Sequence, residues 1–231
     1  MRGKSISLVA LSLLLVVFFL QSCQSKPEEG VLKRYFHAVA LNDKTTMGSM
    51  AMELIEMDVE SWKIVSSSEE IIEPAPLPDL NAKELELKKK VEESVSITVE
   101  AKEDLDDAIF EMENARTRTA RRVAQQRVDE LQAKYEEIRE NHNQVQADYS
   151  EAKNAATREE SIVNFSIGAG DLPNIRDLTG DFHKKEVVIE VKGKEGTKKY
   201  QTYIRRYVLQ DEALNMTRRG RWIIVKFEPI E

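Results

Sequence analysis

The chain has 231 residues and a formal net charge of −7, with 41 acidic and 34 basic side chains. The excess of acidic residues argues against a general nucleic-acid binder. One cysteine and three histidines leave little material for a metal site, and the sequence contains no Gly-rich phosphate loop, Gly-x-Ser-x-Gly or His-Glu-x-x-His motif. We therefore expect neither a cofactor nor an enzymatic activity.

The N-terminus has the pattern of a secretory signal peptide. Two basic residues precede an apolar run from Ser5 to Leu20, which is shorter than the about 20 residues that a spanning helix needs. The run ends in Leu-Gln-Ser-Cys at Cys23, which resembles the lipobox of bacterial lipoproteins, with Gln21 where a small residue is usual. The resemblance implies that Cys23 is lipidated and becomes the mature N-terminus. A transmembrane anchor with an incidental cysteine is the alternative.

The lipobox also predicts where the protein is found. A lipoprotein cysteine carries two or three acyl chains, and each buried methylene contributes about 0.8 kcal/mol, so the mature chain is expected to stay on a membrane. Gln24 follows the cysteine in place of aspartate, which by resemblance to the enterobacterial sorting rule favours the outer membrane. We therefore expect a lipid-anchored, periplasm-facing protein of the bacterial cell envelope.

The chain that follows a short polar tether is predicted to hold helices and a short strand. Apolar side chains recur at helical spacing over 31–57, with Asp43 or Thr45 as the N-cap after a break. The sequence around Trp62 indicates a strand. Three prolines within 73–80 indicate a stiff linker that ends this part of the chain.

Residues 81–160 differ in kind, because they contain no glycine, proline or tryptophan and carry dense charge. In the second half, core residues alternate three and four apart over four heptads: Val128, Leu131, Tyr135, Ile138, His142, Val145, Tyr149, Ala152 and Ala156. Such a repeat predicts a coiled coil. The first half carries a weaker version of the same pattern.

Two arrangements fit this helical region. The phases of the two halves do not join, and the apolar stripe lapses between Asn114 and Arg122. Both observations favour an antiparallel hairpin with arms near 83–113 and 122–157, each about 50 Å long at the helical rise of 1.5 Å per residue. A single long helix that dimerises is the alternative.

The last third of the chain is predicted to be rich in strands. A loop-like segment with three glycines comes first, and alternating apolar residues then indicate three strands, near 186–192, 199–210 and 222–227. The sequence GKEG predicts a turn between the first two strands, and TRRGR predicts a turn between the last two.

The two flanks of the helical region carry paired motifs. Tyr35, Ala38 and Asp43 match the pattern Tyr/Phe-x-x-Ala-x-x-x-x-Asp, which starts on the first predicted helix, and Gly-Arg-Trp-Ile-Ile stands at 220–224. These motifs resemble the opening helix and the last strand of the cystatin-like cone domains of the nuclear-transport-factor and SnoaL-like group. The resemblance implies a small cone-like α+β domain with a curved antiparallel sheet, interrupted by the helical hairpin.

This interpretation divides the chain into four parts. A hairpin returns its two ends to one place, so a compact domain tolerates its insertion. The predicted parts are a signal peptide at 1–22, a tether at 23–30, an α+β base at 31–80 and 161–231, and a helical hairpin or coiled coil at 81–160.

Members of the resembled group range from enzymes to binding modules, and their enzymes use acidic residues or histidines that line the cone. In this chain Asp181 and His183 precede the first predicted strand of the last third, and Tyr203 and Tyr207 lie on the second. The simpler interpretation of the two tyrosines is packing within a half-buried sheet.

The other two histidines have structural interpretations. His37 is expected on the surface of the first helix. His142 occupies a core heptad position, where a polar residue sets the register of a coiled coil more often than it binds a ligand.

Charge is distributed unevenly along the predicted hairpin. The segment 84–113 has eleven acidic residues against four lysines, and five arginines then follow without a single acid: Arg116, Arg118, Arg121, Arg122 and Arg127. In a hairpin these arginines crowd the tip, where guanidinium groups suit carboxylates and phosphates of a partner. The alternative is that they satisfy helix-end carbonyls and acidic neighbours on the first arm.

The sequence thus predicts a non-enzymatic interaction or scaffold protein. It would be held on a membrane at Cys23 and would contact an envelope protein through the arginines of a projecting coiled-coil arm. One alternative is a periplasmic chaperone similar in layout to the Skp family, in which helical hairpins extend from a β body and the chains trimerise. Another is small-molecule binding in the cone. Homo-oligomerisation is compatible with each of these three functions.

Overall fold

The computed structural model describes residues 26–55, 58–168, 172 and 174–230. They form α-helices and an antiparallel sheet, so the predicted α+β class is confirmed. The elements in chain order are α1 (Pro27–Ala40), α2 (Lys44–Gly48), β1 (Ser61–Ser67), β2 (Ile71–Pro74), α3 (Leu77–Glu113), α4 (Arg118–Ile167), a 3-10 turn (Ile175–Asp177), β3 (Thr179–Gly193), β4 (Gly196–Asp211), β5 (Met216–Arg219) and β6 (Ile223–Ile230).

The chain divides into two compact units. The first runs to Glu73 and also contains Phe182–Arg206 and Gly220–Glu231. The second contains Pro74–Asp181 and Tyr207–Arg219. Strands β3 and β4 are long enough to contribute residues to both units, whereas the paired helices α3 and α4 belong to the second alone.

The core of the first unit forms between one face of α1 and the sheet. Pro27 begins the helix, where its missing N–H costs nothing, and Glu28 and Glu29 suit the positive end of the helix dipole. The inner face of α1 buries Tyr35, whose hydroxyl oxygen accepts a hydrogen bond from the Ile55 N–H at 2.9 Å. The predicted cap after the break is also present, since the Asp43 carboxylate accepts the Thr46 N–H at the start of α2.

Aromatic side chains fill the space between α1 and the sheet. The Phe36 ring stacks on Trp62 of β1 with centroids 4.7 Å apart, and the Tyr35 ring lies 5.3 Å from Phe227 of β6. Fully buried aliphatic residues of β3, β4 and β6 complete this core: Val187, Ile189, Val191, Ile204 and Ile224.

In the sheet, β3 pairs with β4, and each of these long strands carries two shorter strands on its other edge. β1 and β2 pair with β3, and β5 and β6 pair with β4. β1 runs antiparallel to β3, and β5 and β6 run antiparallel to β4. Pro229 lies near the end of β6, opposite Tyr200 of β4. Proline has no N–H to donate to a neighbouring strand, and for this reason it occurs in sheets mainly on edge strands.

The predicted antiparallel helical hairpin is present in the second unit. Helix α3 ends at Glu113, four residues form the turn, and α4 begins at Arg118. The helices run in opposite directions, because Ser94 contacts His142 while Glu111, nearer the turn, contacts Arg127. The Ser94 hydroxyl lies 2.8 Å from His142 Nδ1, so the polar residue at the core heptad position has a partner on the facing helix.

The predicted heptad residues of α4 are buried to different extents. Ala152 and Ala156, far from the turn, are almost completely buried. Nearer the turn the larger members of the repeat are half-buried: Val128, Leu131, Tyr135, Ile138, Val145 and Tyr149. Leu105 and Ala108 of α3 are buried as well, so the two helices share an apolar seam.

Two predicted boundaries of the hairpin are wrong. The proline-rich segment 73–80 is not all linker, since α3 begins at Leu77 and takes Pro78 into its first turn, where an absent N–H is tolerated. The segment after residue 160 is not a loop at first, because α4 continues to Ile167 and buries Ile162 and Val163. The helix ends at Gly168, whose φ of 66° is the left-handed geometry that glycine adopts readily.

The strand predictions need correction at two places. The sequence TRRGR is not simply a turn, because Met216–Arg219 pairs with the end of β4 as β5, with Val208 opposite Arg219. Strand β3 begins at Thr179, earlier than the apolar alternation indicates. Gly180 on that strand has a φ of 139°, and a Cβ there would lie 2.3 Å from the Val208 carbonyl oxygen, so only glycine fits.

Candidate functional site

The tip of the hairpin holds the five arginines singled out in the sequence. All five side chains are exposed. Arg127 forms an ion pair with Glu111 across the hairpin, with Nη1 and Oε2 2.7 Å apart. Among the described residues, the other four have no carboxylate within 4 Å: Arg116, Arg118, Arg121 and Arg122. One arginine of the tip therefore forms an ion pair within the hairpin, and the other four are exposed to solvent without an ion-pair partner among the described residues.

Other side chains cap the helix ends at the tip. Asn114 Nδ2 donates to the Phe110 carbonyl oxygen at 2.8 Å, which satisfies a backbone acceptor at the end of α3. The Thr117 hydroxyl oxygen accepts the Ala120 N–H at 3.2 Å and caps the start of α4. The four unpaired arginines are not needed for these hydrogen bonds.

The position of the arginines is electrostatically unfavourable for the isolated hairpin. Arg118 and Arg121 lie in the first turns of α4, where the helix dipole is positive and disfavours cations. No acidic residue occurs between Asn114 and Arg127 to offset them. Among the described residues, no carboxylate lies within 4 Å of Arg118 or Arg121 to offset this cost.

Apolar surface accompanies the charge at the tip. The Phe110 side chain is 68% exposed and Val123 is 58% exposed. Val123 also lines a shallow groove of about 490 Å³ between the two helices, with alanines 115, 120 and 124 along it and Glu111 and Arg127 beside it. The tip thus offers an aromatic ring, a small groove and four free guanidinium groups.

The lipidation site predicted at Cys23 lies outside the described residues, as does the signal sequence before it. None of the helices in the described part of the chain combines the length and the apolar composition that crossing a bilayer requires.

Two of the three histidines have hydrogen-bonding partners in the fold. His142 contacts Ser94 inside the hairpin. His183, on β3, places Nδ1 2.5 Å from Glu70 Oε1. His37 is exposed on α1, as the sequence predicts, and lines a cleft in the first unit.

A polar cluster around His183 was not predicted from the sequence. Arg206 of β4 places Nη2 3.2 Å from Glu70 Oε1 and 3.3 Å from His183 Nδ1, and its guanidinium lies 5.1 Å from the centre of the Trp222 ring. Glu70 is 113 residues from His183 along the chain, so no local pattern links them. Glu70 Oε1 lies within hydrogen-bonding distance of both His183 and Arg206, and Arg206 lies over the Trp222 ring, so the cluster orients these side chains within the first unit.

The tyrosines considered as cone residues are engaged in packing and hydrogen bonds. Tyr207 is fully buried, and its hydroxyl donates to Glu159 at 2.5 Å. Tyr203 donates to Glu228 at 2.8 Å, and this hydrogen bond raises the pKa of Tyr203 above its ordinary value. Asp181 is exposed on β3.

Within the described ranges, no group of three or more histidine, cysteine, aspartate or glutamate side chains is arranged to hold a metal ion. Comparison of the chain with protein-family models, with curated proteins and with solved structures finds no match.

Proposed function

We propose that this protein is a non-enzymatic interaction protein of the bacterial envelope that recognises an acidic protein partner with the tip of its helical hairpin. The observation that carries the proposal is the set of four exposed arginines that have no carboxylate within 4 Å in the described part of the chain. Guanidinium groups bind carboxylates in two-pronged geometry, so such a set is complementary to an acidic surface.

The apolar surface of the tip favours a protein over a polyanion. Phe110 is mostly exposed, although burying an aromatic side chain is favourable. Aromatic residues and arginines together are the side chains that contribute most at protein interfaces. A partner that covers Phe110 while pairing with the arginines would use both features.

The packing of the hairpin supports its role as a stiff arm. We propose that the heptad residues of α4 form a coiled coil with α3, in which the Ser94–His142 contact holds the register. A fixed register keeps the arginines at the start of α4 beside Phe110 at the end of α3.

The packing of the first unit supports a structural role for this part of the chain. We propose that it is the cone-like domain expected from the motifs at Tyr35 and Trp222. Its interior is occupied by the rings of Tyr35, Phe36, Trp62 and Phe227, and this packing favours a supporting domain over a catalytic cone. The lipobox-like sequence at Cys23 supports attachment to a membrane of the envelope, with the outer membrane favoured by Gln24.

Photo-crosslinking in the native host tests the proposal. A photoreactive amino acid replaces Arg118, and irradiation is expected to give one discrete protein adduct, which mass spectrometry would identify. The triple variant Arg116→Glu, Arg121→Glu and Arg122→Glu is expected to abolish the adduct. The matched control reverses three exposed cations on the same helix that lie away from the tip: Lys134, Arg139 and Lys153. This control should keep the adduct.

Three outcomes would overturn the proposal. Absence of any adduct from a correctly localised protein would leave the arginines as a solvated turn. A lipid adduct would assign the tip to a membrane surface. A ladder of many protein adducts would instead indicate a chaperone that holds unfolded clients.

A further inference from the structure

The first unit has a cleft of about 730 Å³ along the side of α1 that carries Lys33, Arg34 and His37. Its other walls come from the end of α1, from α2 and the residues that follow it, and from the residues just before β6. The volume lies within the range of about 300–1,000 Å³ typical of small-molecule sites. The tip of the hairpin takes no part in it.

The floor of the cleft is apolar. Val31, Ala38 and Met50 are buried residues that line it, and Leu41 lies at its edge and is 66% exposed. Trp222 forms one wall and is held from another side by the Arg206 guanidinium, 5.1 Å from its ring centre. The floor and wall therefore suit the apolar body of a ligand.

The rim of the cleft is positively charged. Its charged side chains are Lys33, Arg34 and Arg221 against a single carboxylate, Asp43, and His37 lies beside them. Among the described residues Lys33 and Arg34 have no carboxylate within 4 Å, and the only side-chain hydrogen bond of Arg34 runs from Nε to the Gly30 carbonyl oxygen.

The carboxylate on the rim is already engaged. Asp43 accepts the Thr46 N–H at 3.0 Å and the Thr46 hydroxyl at 2.5 Å, one on each oxygen. These hydrogen bonds, led by that of the Thr46 hydroxyl, hold the pKa of Asp43 below its ordinary value, so it stays charged while capping α2. The charges of Lys33 and Arg34 remain available.

A second cavity of the first unit provides a comparison. It has about 750 Å³, but its two lysines are matched by two carboxylates, Asp58 and Glu60, and Lys194 Nζ lies 2.9 Å from Asp58. This second cavity has a similar volume, but its positive and negative charges balance, so it has no electrostatic preference for an anion. The excess of cations belongs to the α1 cleft, in a chain whose net charge is −7.

We propose that the α1 cleft binds a small anionic amphiphile, with its carboxylate or phosphate on Lys33 and Arg34 and its apolar chain against Met50 and Trp222. Charge-assisted hydrogen bonds to the anion and burial of the chain would act together. Two sources supply this chemistry: a free long-chain carboxylate, or the headgroup and upper chain of an anionic membrane lipid.

Photolabelling of the full chain in phosphatidylcholine vesicles tests the proposal. In one arm the probe is a diazirine-bearing dodecanoate, and in the other it is a diazirine-bearing phosphatidylglycerol within the vesicle. Peptide mass spectrometry is expected to place the label on the segments that contain Leu41, Met50 or Trp222. Labelling by dodecanoate alone would identify a free ligand, and labelling by phosphatidylglycerol would identify a membrane lipid, each in support of the anionic site.

The variants make the test specific. Lys33→Ala with Arg34→Ala replaces two exposed helix residues with the best helix former, and is expected to reduce labelling of the cleft about tenfold. Lys44→Ala with Lys194→Ala removes the same charge from the second cavity and should leave it unchanged. Equal labelling of the Lys33 and Arg34 variant, equal labelling by a diazirine-bearing dodecanol, or no labelling of the cleft would overturn the proposal. Circular dichroism confirms that each variant is folded.

Discussion

Glu28 and Lys185 form an ion pair shielded from solvent in the first unit. Lys185 Nζ donates to Glu28 Oε2 at 2.7 Å, and the Ser67 hydroxyl donates to Glu28 Oε1 at 2.9 Å. Only 2% of the Glu28 side chain and 10% of the Lys185 side chain are exposed. Burial raises the pKa of Glu28, but the hydrogen bonds from Lys185, the backbone and Ser67 together outweigh it, so the pKa lies below its ordinary value.

The first prediction concerns the loss of one partner of this pair. Glu28→Gln leaves the Lys185 ammonium buried without a carboxylate and is expected to lower the free energy of unfolding by about 3–5 kcal/mol. Urea unfolding followed by the fluorescence of Trp62 and Trp222 measures it. The double variant Glu28→Gln with Lys185→Met should recover most of the loss, because no buried charge then remains. A single variant as stable as the parent chain would contradict the prediction.

The same pair predicts how stability depends on pH. A carboxylate whose folded pKa is lowered contributes its full stability above the unfolded pKa of about 4.3 and loses it as the pH falls through the lower folded value. The free energy of unfolding of the parent chain should therefore fall, relative to that of the double variant, as the pH drops below about 4.3, which urea unfolding at a series of pH values measures.

At the scale of elements, Arg176 ties the 3-10 turn to both helices of the hairpin at the end away from the tip. Its Nη1 donates to Glu84 of α3 at 2.6 Å, and its Nε donates to Glu160 of α4 at 2.8 Å. Its side chain is 28% exposed, and Glu84 is 12% exposed. The hydrogen bond to Glu160 is the main reason that the pKa of Arg176 lies above its usual value.

The next prediction compares the two ends of the hairpin. Arg176→Ala removes two partly shielded charged hydrogen bonds and is expected to lower the free energy of opening the ends of α3 and α4 by about 1–3 kcal/mol. Arg127→Ala removes a pair whose side chains are 57% and 58% exposed, so its cost should stay under about 1 kcal/mol. Amide hydrogen exchange, read residue by residue, measures both. Equal acceleration in the two variants would contradict the comparison.

The hairpin shows which features of the helices can be predicted from residues that are close together in the sequence. The heptad repeat, its change of phase and the lapse near Asn114 correctly predicted two helices and a turn, because residues close in sequence determine them. Helix ends were less predictable. Pro78 was predicted to belong to a linker, but proline is tolerated in the first turn of a helix, where α3 contains it. At the other end, α4 continues past residue 160, and its last turns bury Ile162.

For the whole molecule, the acidic net charge conceals two local excesses of positive charge. One is the set of arginines at the tip, and the other is the rim formed by Lys33, Arg34 and Arg221. In an acidic chain, a local excess of positive charge attracts an anionic partner or ligand, and local fields of this kind raise association rates.

Membrane attachment is the last prediction. Cys23→Ser removes the acceptor of the proposed acyl chains and is expected to abolish palmitate labelling of the protein and cleavage before residue 23, which a shift in apparent mass measures. Ser25→Ala is the matched control and should change neither. A parent chain that is found in the membrane fraction uncleaved and without palmitate would show instead that the apolar run is a transmembrane anchor.

The amino-acid sequence by itself determined the features that depend on neighbouring residues: the α+β class, the hairpin, the Asp43 cap and the crowding of arginines at one turn. Only the tertiary structure decided which residues meet across long separations. It paired Glu28 with Lys185, 157 positions away, and set Trp222 beside α1 to form the cleft. The physical reason is that hydrophobic periodicity specifies which face of an element is buried, whereas the partner of a buried polar group depends on how the elements pack.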